Sequence, residues 1–255
     1  MNTRLLKNTL PILITSAAKP NDPNSVKLTS FELRRDYTIK ALKKWQEISP
    51  KSSIIICDGS NYCFEKYCKL RNINTNKIEF LSFENHTKGI LQLGKGYGES
   101  EIIKYALKHS KILNQHEYFV KCTAKLWVSN FNKINTNFYN YSGLFRPYIS
   151  YTPFKIPKIE YIDTRFYITH KDFYLRYLNN LYDYENFPIS IEELFLKKFL
   201  ELDVKKIFFY SLPVISGVSG GSGKEYNTKL YRVLKDKIRY QIWRNSKFMK
   251  DYFIS

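Results

Sequence analysis

An aspartate, a glycine and a serine close the apolar run Ile54-Ile55-Ile56-Cys57 as Asp58-Gly59-Ser60. An unbroken β-branched run reads as a strand buried on both faces, and so as a parallel one. The triplet puts a carboxylate, a flexible turn and a hydroxyl at the strand's carboxyl end, where the ligand crevice of an open α/β sheet lies. Such a trio can grip the base and ribose of a nucleotide; Asp-Gly is equally an ordinary tight turn. Lys121-x-Thr123-x-Lys125 sets two ammoniums and a hydroxyl on one face of a predicted strand. Polar side chains there need partners, which an anionic ligand or the water at an edge strand would provide.

Two glycine-rich stretches precede helices. Gly94-x-Gly-x-Gly98 lets backbone approach a ligand at a helix amino end, which attracts phosphate, but it lacks the spacing of a dinucleotide fingerprint or a Walker loop. Gly220-Gly221-Ser222-Gly-Lys224 could cradle a diphosphate with its amides, or serve as a solvated linker. Asp163 and Arg165 fall on one side of a strand, as ligand-facing groups or as a simple ion pair. Arg34 and Arg35 lie on the first helix, below the end of the first strand. Ser190-Ile-Glu192-Glu193 opens a helix with a capping serine. Carboxylates there favour the helix dipole, and Glu192 alternatively reads as a general base.

The elements that must hold these groups alternate. Pro11–Ala18 reads as a strand, Glu32–Ile48 as a helix capped by Ser30, Ser53–Cys57 as a strand, Tyr62–Leu70 as a short helix and Lys77–Phe83 as a third strand. This is βαβαβ, the opening of a doubly wound sheet. A helix over Glu99–Ser110, a strand over Tyr118–Val128 and an Asn-rich loop over Asn130–Asn140 follow. Strands are expected near Leu144–Ile149, Ile159–Tyr161 and Arg165–Thr169, and helices over Lys171–Tyr182 and Ser190–Leu202. Lys206–Tyr210 and Pro213–Ile215 read as extended, and Gly217–Gly223 breaks regularity. A basic amphipathic helix spans Asn227–Tyr252.

The chain has 255 residues, enough to bury a real core, and 44% are hydrophobic. Its net charge of +18 favours phosphorylated ligands, nucleic acid or an anionic membrane surface. Lys and Arg are spread along the chain rather than in the blocks of a nucleic-acid tail, and no zinc-finger or helix-turn-helix signature occurs. Cys57, Cys63, Cys68 and Cys122 have no metal-ligand spacing and read as reduced thiols of a cytosolic protein. No run approaches the roughly 20 apolar residues of a membrane span, and no signal peptide is visible, so a cytoplasmic protein is expected, with contact to the inner membrane face as an option.

Taken in order, Thr15-Ser16, Arg34-x-x-Tyr37, Asp58-Gly59-Ser60, the helix from Gly98 and Tyr118-Phe-Val-Lys-Cys-Thr123 resemble the GT-A-type glycosyltransferases that build bacterial capsule and lipopolysaccharide. The resemblance implies a Rossmann-like, mostly parallel α/β sheet flanked by helices over residues 1–226, with residues 227–255 as a basic helix packed on it. It implies a nucleotide-sugar donor, uridine-based rather than cytidine-based, and a glycan or lipid-linked glycan acceptor. It gives base and ribose contacts to Thr15, Ser16 and Asp58. The place where the family carries Asp-x-Asp for a divalent metal reads Lys121-Cys-Thr123, so a metal-independent site is expected, with Lys121 replacing the cation and Lys224 and the amides at Gly221 and Ser222 also steadying the leaving group; the alternative is that Asp163 supplies a metal ligand from elsewhere. Arg34, Gly59, Ser60, Gly98, Thr123, Asp163 and Arg165 complete the expected donor site, and Glu192 is the expected base. The rivals are a nucleic-acid-binding protein and a catalytically silent glycosyltransferase-like subunit.

Overall fold

The computed structural model describes residues 10–134, 141–150, 158–226, 230–247 and 250–252. In chain order its elements begin with β1 (Ile12–Ser16), α1 (Phe31–Ile48), β2 (Ile54–Asp58), α2 (Glu65–Leu70) and β3 (Ile78–Ser82). Then come α3 (Thr87–Leu93), α4 (Lys95–His109), α5 (Lys111–Asn114), β4 (Tyr118–Thr123), β5 (Leu126–Val128) and α6 (Phe131–Ile134). The rest are β6 (Gly143–Ile149), β7 (Ile159–His170), α7 (Lys171–Phe173), α8 (Ile191–Glu201), β8 (Ile215–Val218), β9 (Glu225–Tyr226) and α9 (Leu230–Arg244).

The fold is α/β, with a mostly parallel sheet flanked by helices. The strand order is β3-β2-β1-β4-β7-β6. The first four strands are parallel, and β7 and β6 join antiparallel. β1 and β2 are buried at every position, as continuous apolar runs require. Alternation along β1 sends Ile12 and Ile14 to one face, where Leu42 and Trp45 of α1 cover them, and Leu13 to the other, under Ile103 and Ala106 of α4. The Ser30 hydroxyl caps α1 by accepting from the Leu33 N–H at 3.2 Å. From β1 the chain runs outward through β2 and β3, then returns to place β4 on the opposite side of β1. The order therefore reverses between β1 and β4, with Thr15 and Thr123 as paired neighbours at their carboxyl ends. That is where an open α/β sheet leaves a crevice.

Several boundaries differ from expectation. Tyr118–Val128 is two strands: a turn at Ala124-Lys125, with Lys125 at φ 71°, sends β4 into the large sheet and β5 into a small antiparallel sheet with β8 and β9. The expected strands at Ile159–Tyr161 and Arg165–Thr169 are one, β7. Gly217 lies within β8, and residues 219–224 form the turn of a β8–β9 hairpin. The helix after the first glycine run starts earlier, at Lys95, with Gly96 and Gly98 inside its first turn, and α3 precedes it. The C-terminal helix ends at Arg244. Its expected start at Asn227, and residues 135–140 of the expected Asn-rich loop, lie outside the described residues.

Candidate active site

A cleft of about 870 Å³ opens over the carboxyl ends of β1 and β4, large enough for a nucleotide-sized ligand. Thr15 and Ser16 end β1 at its floor, Gly98 and Glu99 enter from α4, and Thr123 from β4. β7 contributes Asp163, Thr164 and Arg165, α8 contributes Glu192, and the β8–β9 turn brings Gly220, Gly221 and Ser222 across to Arg34 and Lys125.

The floor holds a saturated ion pair. The Lys121 ammonium donates to Glu99 Oε1 at 2.5 Å, Thr123 Oγ1 at 2.9 Å and the Thr164 carbonyl at 2.6 Å. Its side chain is fully buried. Glu99 Oε1 also accepts from the Thr15 and Thr123 hydroxyls, each at 3.0 Å. Burial alone would raise the Glu99 carboxyl, but Lys121 and these donors hold it below the usual range. All three Lys121 protons are engaged, and Lys121 does not line the cleft. It is thus not available to replace a metal at a diphosphate.

Asp58 is likewise engaged. One carboxylate oxygen accepts from the Ala18 N–H at 2.8 Å; the other accepts from Ser60 N–H at 2.8 Å, Ser60 Oγ at 2.6 Å and Tyr62 N–H at 3.3 Å. The Asp-Gly-Ser triplet therefore ties the loop after β1 to the loop after β2. Asp58, Gly59 and Ser60 lie behind the cleft wall rather than on it, so the tight-turn reading describes their geometry.

Two buried basic side chains without an ion pair among the described residues line the cleft. Lys125 is 3% exposed; its carbonyl accepts from the Val218 N–H at 3.1 Å, and its ammonium makes no hydrogen bond or ion pair with another described residue. Burial, with the Arg34 guanidinium beside it, pushes it down to about 7. Arg34 is buried and donates only to carbonyls: Ala17 at 2.8 Å, Leu28 at 2.9 Å and Gly220 at 3.4 Å. Lys224, expected here, is exposed and off the cleft lining.

Carboxylates line the same cleft. Glu192 sits in the first turn of α8, whose capping box uses Ser190 and Glu193 and leaves Glu192 free to face the cleft. Its Oε1 accepts from the Thr164 hydroxyl at 3.1 Å. Burial raises its carboxyl, and the Glu99 charge adds to the rise. Asp163 and Arg165 form a 2.5 Å ion pair, with Arg146 at 3.7 Å and the Arg165 guanidinium over the Tyr226 ring. Burial would raise Asp163, but Arg165 keeps it ionised and low. Two buried polar atoms in the lining residues, Ser16 Oγ and Asn85 Oδ1, have no hydrogen-bond partner among the described residues. Among the described residues, no three His, Cys, Asp or Glu side chains converge as a metal-ligand set.

Sequence reasoning missed Glu99, Thr164 and Asn85 and favoured Lys121 over Lys125. Nothing local marks Glu99 as the mate of a lysine 22 residues on.

No protein-family model and no curated protein matches this sequence. Among solved structures, the chain is similar in outline to a 4-diphosphocytidyl-2C-methyl-D-erythritol synthase from Anaerococcus prevotii, at 13% identity over 94% of this chain and 100% of that one, with a TM-score of 0.47. It is similar to the glycosyltransferase GlyE of Streptococcus pneumoniae at 8% identity over 74% of this chain and 43% of that one, with a TM-score of 0.45. A protein assigned as a nucleotide-diphospho-sugar transferase from Desulfovibrio desulfuricans overlaps 96% of this chain and 98% of its own, at 10% identity and a TM-score of 0.46. At that distance the likeness gives an outline and no residue role.

Proposed function

We propose that this chain transfers a sugar from a nucleotide-sugar donor to a hydroxyl group of a glycan acceptor. The observation that carries the reading is the Glu192 carboxylate, half-buried, held by Thr164 and raised above the ordinary range, in one cleft with the unpaired Arg34 and Lys125. Glycosyl transfer needs both kinds of group. The acceptor oxygen gains its bond to the sugar carbon as its proton passes to Glu192. The bond from that carbon to the phosphate oxygen breaks, and its electron pair leaves on the diphosphate, where the cations stand. A uridine-based donor and a growing lipopolysaccharide or capsule acceptor are the finer reading and rest on the motif resemblance. Transfer without a divalent metal rests on the cations.

Glu192→Gln tests the role of base. Donor affinity, read by calorimetry with a panel of nucleotide sugars, is expected to change little, while turnover falls by about 10²–10⁴-fold. The acid limb of wild-type turnover is expected above the ordinary glutamate range, because the base is lost as pH falls through a raised pKa. Unchanged turnover in Glu192→Gln would remove Glu192 as base. If no nucleotide sugar in the panel is bound, the transferase reading fails.

A further inference from the structure

We infer that Arg34, Lys125 and the backbone of the β8–β9 turn form a metal-free site for a diphosphate group. Lys125 and Arg34 are buried basic side chains with no carboxylate ion pair among the described residues. A buried basic group without an ion-pair partner is pushed toward its neutral form, and an anionic ligand beside it restores the charge and gains the full attraction. The two groups converge: a Cβ built on Gly220 would lie 2.9 Å from Lys125 Cε, 3.3 Å from its Nζ and 3.6 Å from an Arg34 terminal nitrogen. Glycine at 220 therefore lets the turn's backbone pass directly over both cations.

That backbone is itself underused. Ser219 N–H, Ser222 N–H and Gly223 N–H are bonded within the hairpin, whereas the N–H groups of Gly220 and Gly221 donate to no described residue. Lys95 of α4 reaches the same turn, its ammonium 3.3 Å from where a Gly221 Cβ would be. The acids nearest the pair act on it only through space and form no ion pair with it. Asp58 is held by four donors from the loops, and Glu99 by Lys121 and two threonines. Two buried cations, an exposed lysine and two unengaged amides around one turn suit a group with several oxygens and more than one negative charge. A diphosphate fits this set better than a lone carboxylate, which one cation would satisfy.

The inference deepens the transferase reading by naming the residues that hold the leaving group, and it is testable apart from it. Inorganic pyrophosphate is titrated into the whole chain by calorimetry with a chelator present. The expected result is one-to-one binding that weakens at least tenfold in Lys125→Met and in Lys125→Gln and is largely kept in Lys125→Arg. Glu192→Gln binds pyrophosphate like the wild type. Removing a buried unpaired charge is expected to leave the melting temperature of Lys125→Met at or above the wild-type value, which reports that the fold is intact. Absence of wild-type binding, binding only after magnesium is added, or equal affinity in folded Lys125→Met would each overturn the site. Pyrophosphate binding with this pattern but no nucleotide-sugar turnover would sink the transferase reading and leave the diphosphate site standing.

Discussion

Lys121 and Lys125 are four residues apart and have opposite fates. Lys121 ends fully buried with all three protons engaged, and its worth is structural: it neutralises Glu99 beneath the cleft. Removing one member of such a pair leaves the other charged and partly buried, which costs more than the pair gains. Lys121→Met is therefore expected to lose roughly 2–4 kcal/mol in urea unfolding, somewhat less than a fully enclosed pair because the Glu99 side chain is 20% exposed. Adding Glu99→Gln to Lys121→Met is expected to recover part of that loss, a coupling that a double-mutant cycle reads directly. Additive losses would mean the two side chains do not act as a pair. Lys125, whose ammonium has no partner among the described residues, carries the opposite expectation: its removal costs binding rather than stability.

The element that aims the candidate base is α8. Its amino end is fixed by a reciprocal capping box in which Ser190 Oγ accepts from the Glu193 N–H at 3.2 Å and Glu193 reaches back to Ser190. Ile191, Leu194 and Phe195 anchor the helix in the core beneath β7. Ser190→Ala is expected to cost about 1 kcal/mol in stability. Turnover should fall more than donor affinity, because the frayed first turn carries Glu192. Equal loss in both would mean the cap steadies the whole cleft rather than that carboxylate. The capping serine, α1 and the buried runs of β1 and β2 were all legible in sequence, since each is written in short-range pattern. The break after Thr123 was not. Tyr118–Val128 is apolar enough for one strand, and it divides because Leu126–Val128 pairs with Ile215–Gly217, almost ninety residues away. The same break decides which lysine faces the cleft: alternation put Lys121 and Lys125 on one side, and the turn left only Lys125 without a partner. Asp58 was read as a ligand group for a related reason. Its carboxyl-end position is visible in sequence, but the four donors that claim it come from two loops whose approach depends on the finished sheet.

At the scale of the molecule, the +18 charge and α9 belong together. The helix binds the body through one side. Tyr240 is buried and donates to the Phe209 carbonyl at 2.8 Å, Trp243 packs against the core, and Arg244 donates to the Tyr210 carbonyl at 3.0 Å. Tyr231, Leu234, Ile238 and Ile242 fall at helical spacing on the opposite side and stay 61%, 57%, 49% and 59% exposed. Lys235 and Lys237 are exposed on the same helix. No described helix is long and apolar enough to cross a membrane, and an apolar stripe beside lysines is the pattern of a helix lying in the plane of an anionic bilayer. On that geometry the chain is expected to co-sediment with phosphatidylglycerol vesicles and far less with phosphatidylcholine vesicles. Leu234→Glu combined with Ile238→Glu is expected to cut the bound fraction at least tenfold with no loss of melting temperature, since both side chains already face water. High salt alone should weaken binding less than the double substitution does, because the apolar contact survives screening. Equal partition of wild type and double variant would show that charge acts without the stripe, leaving α9 as a cover for the core and nothing more.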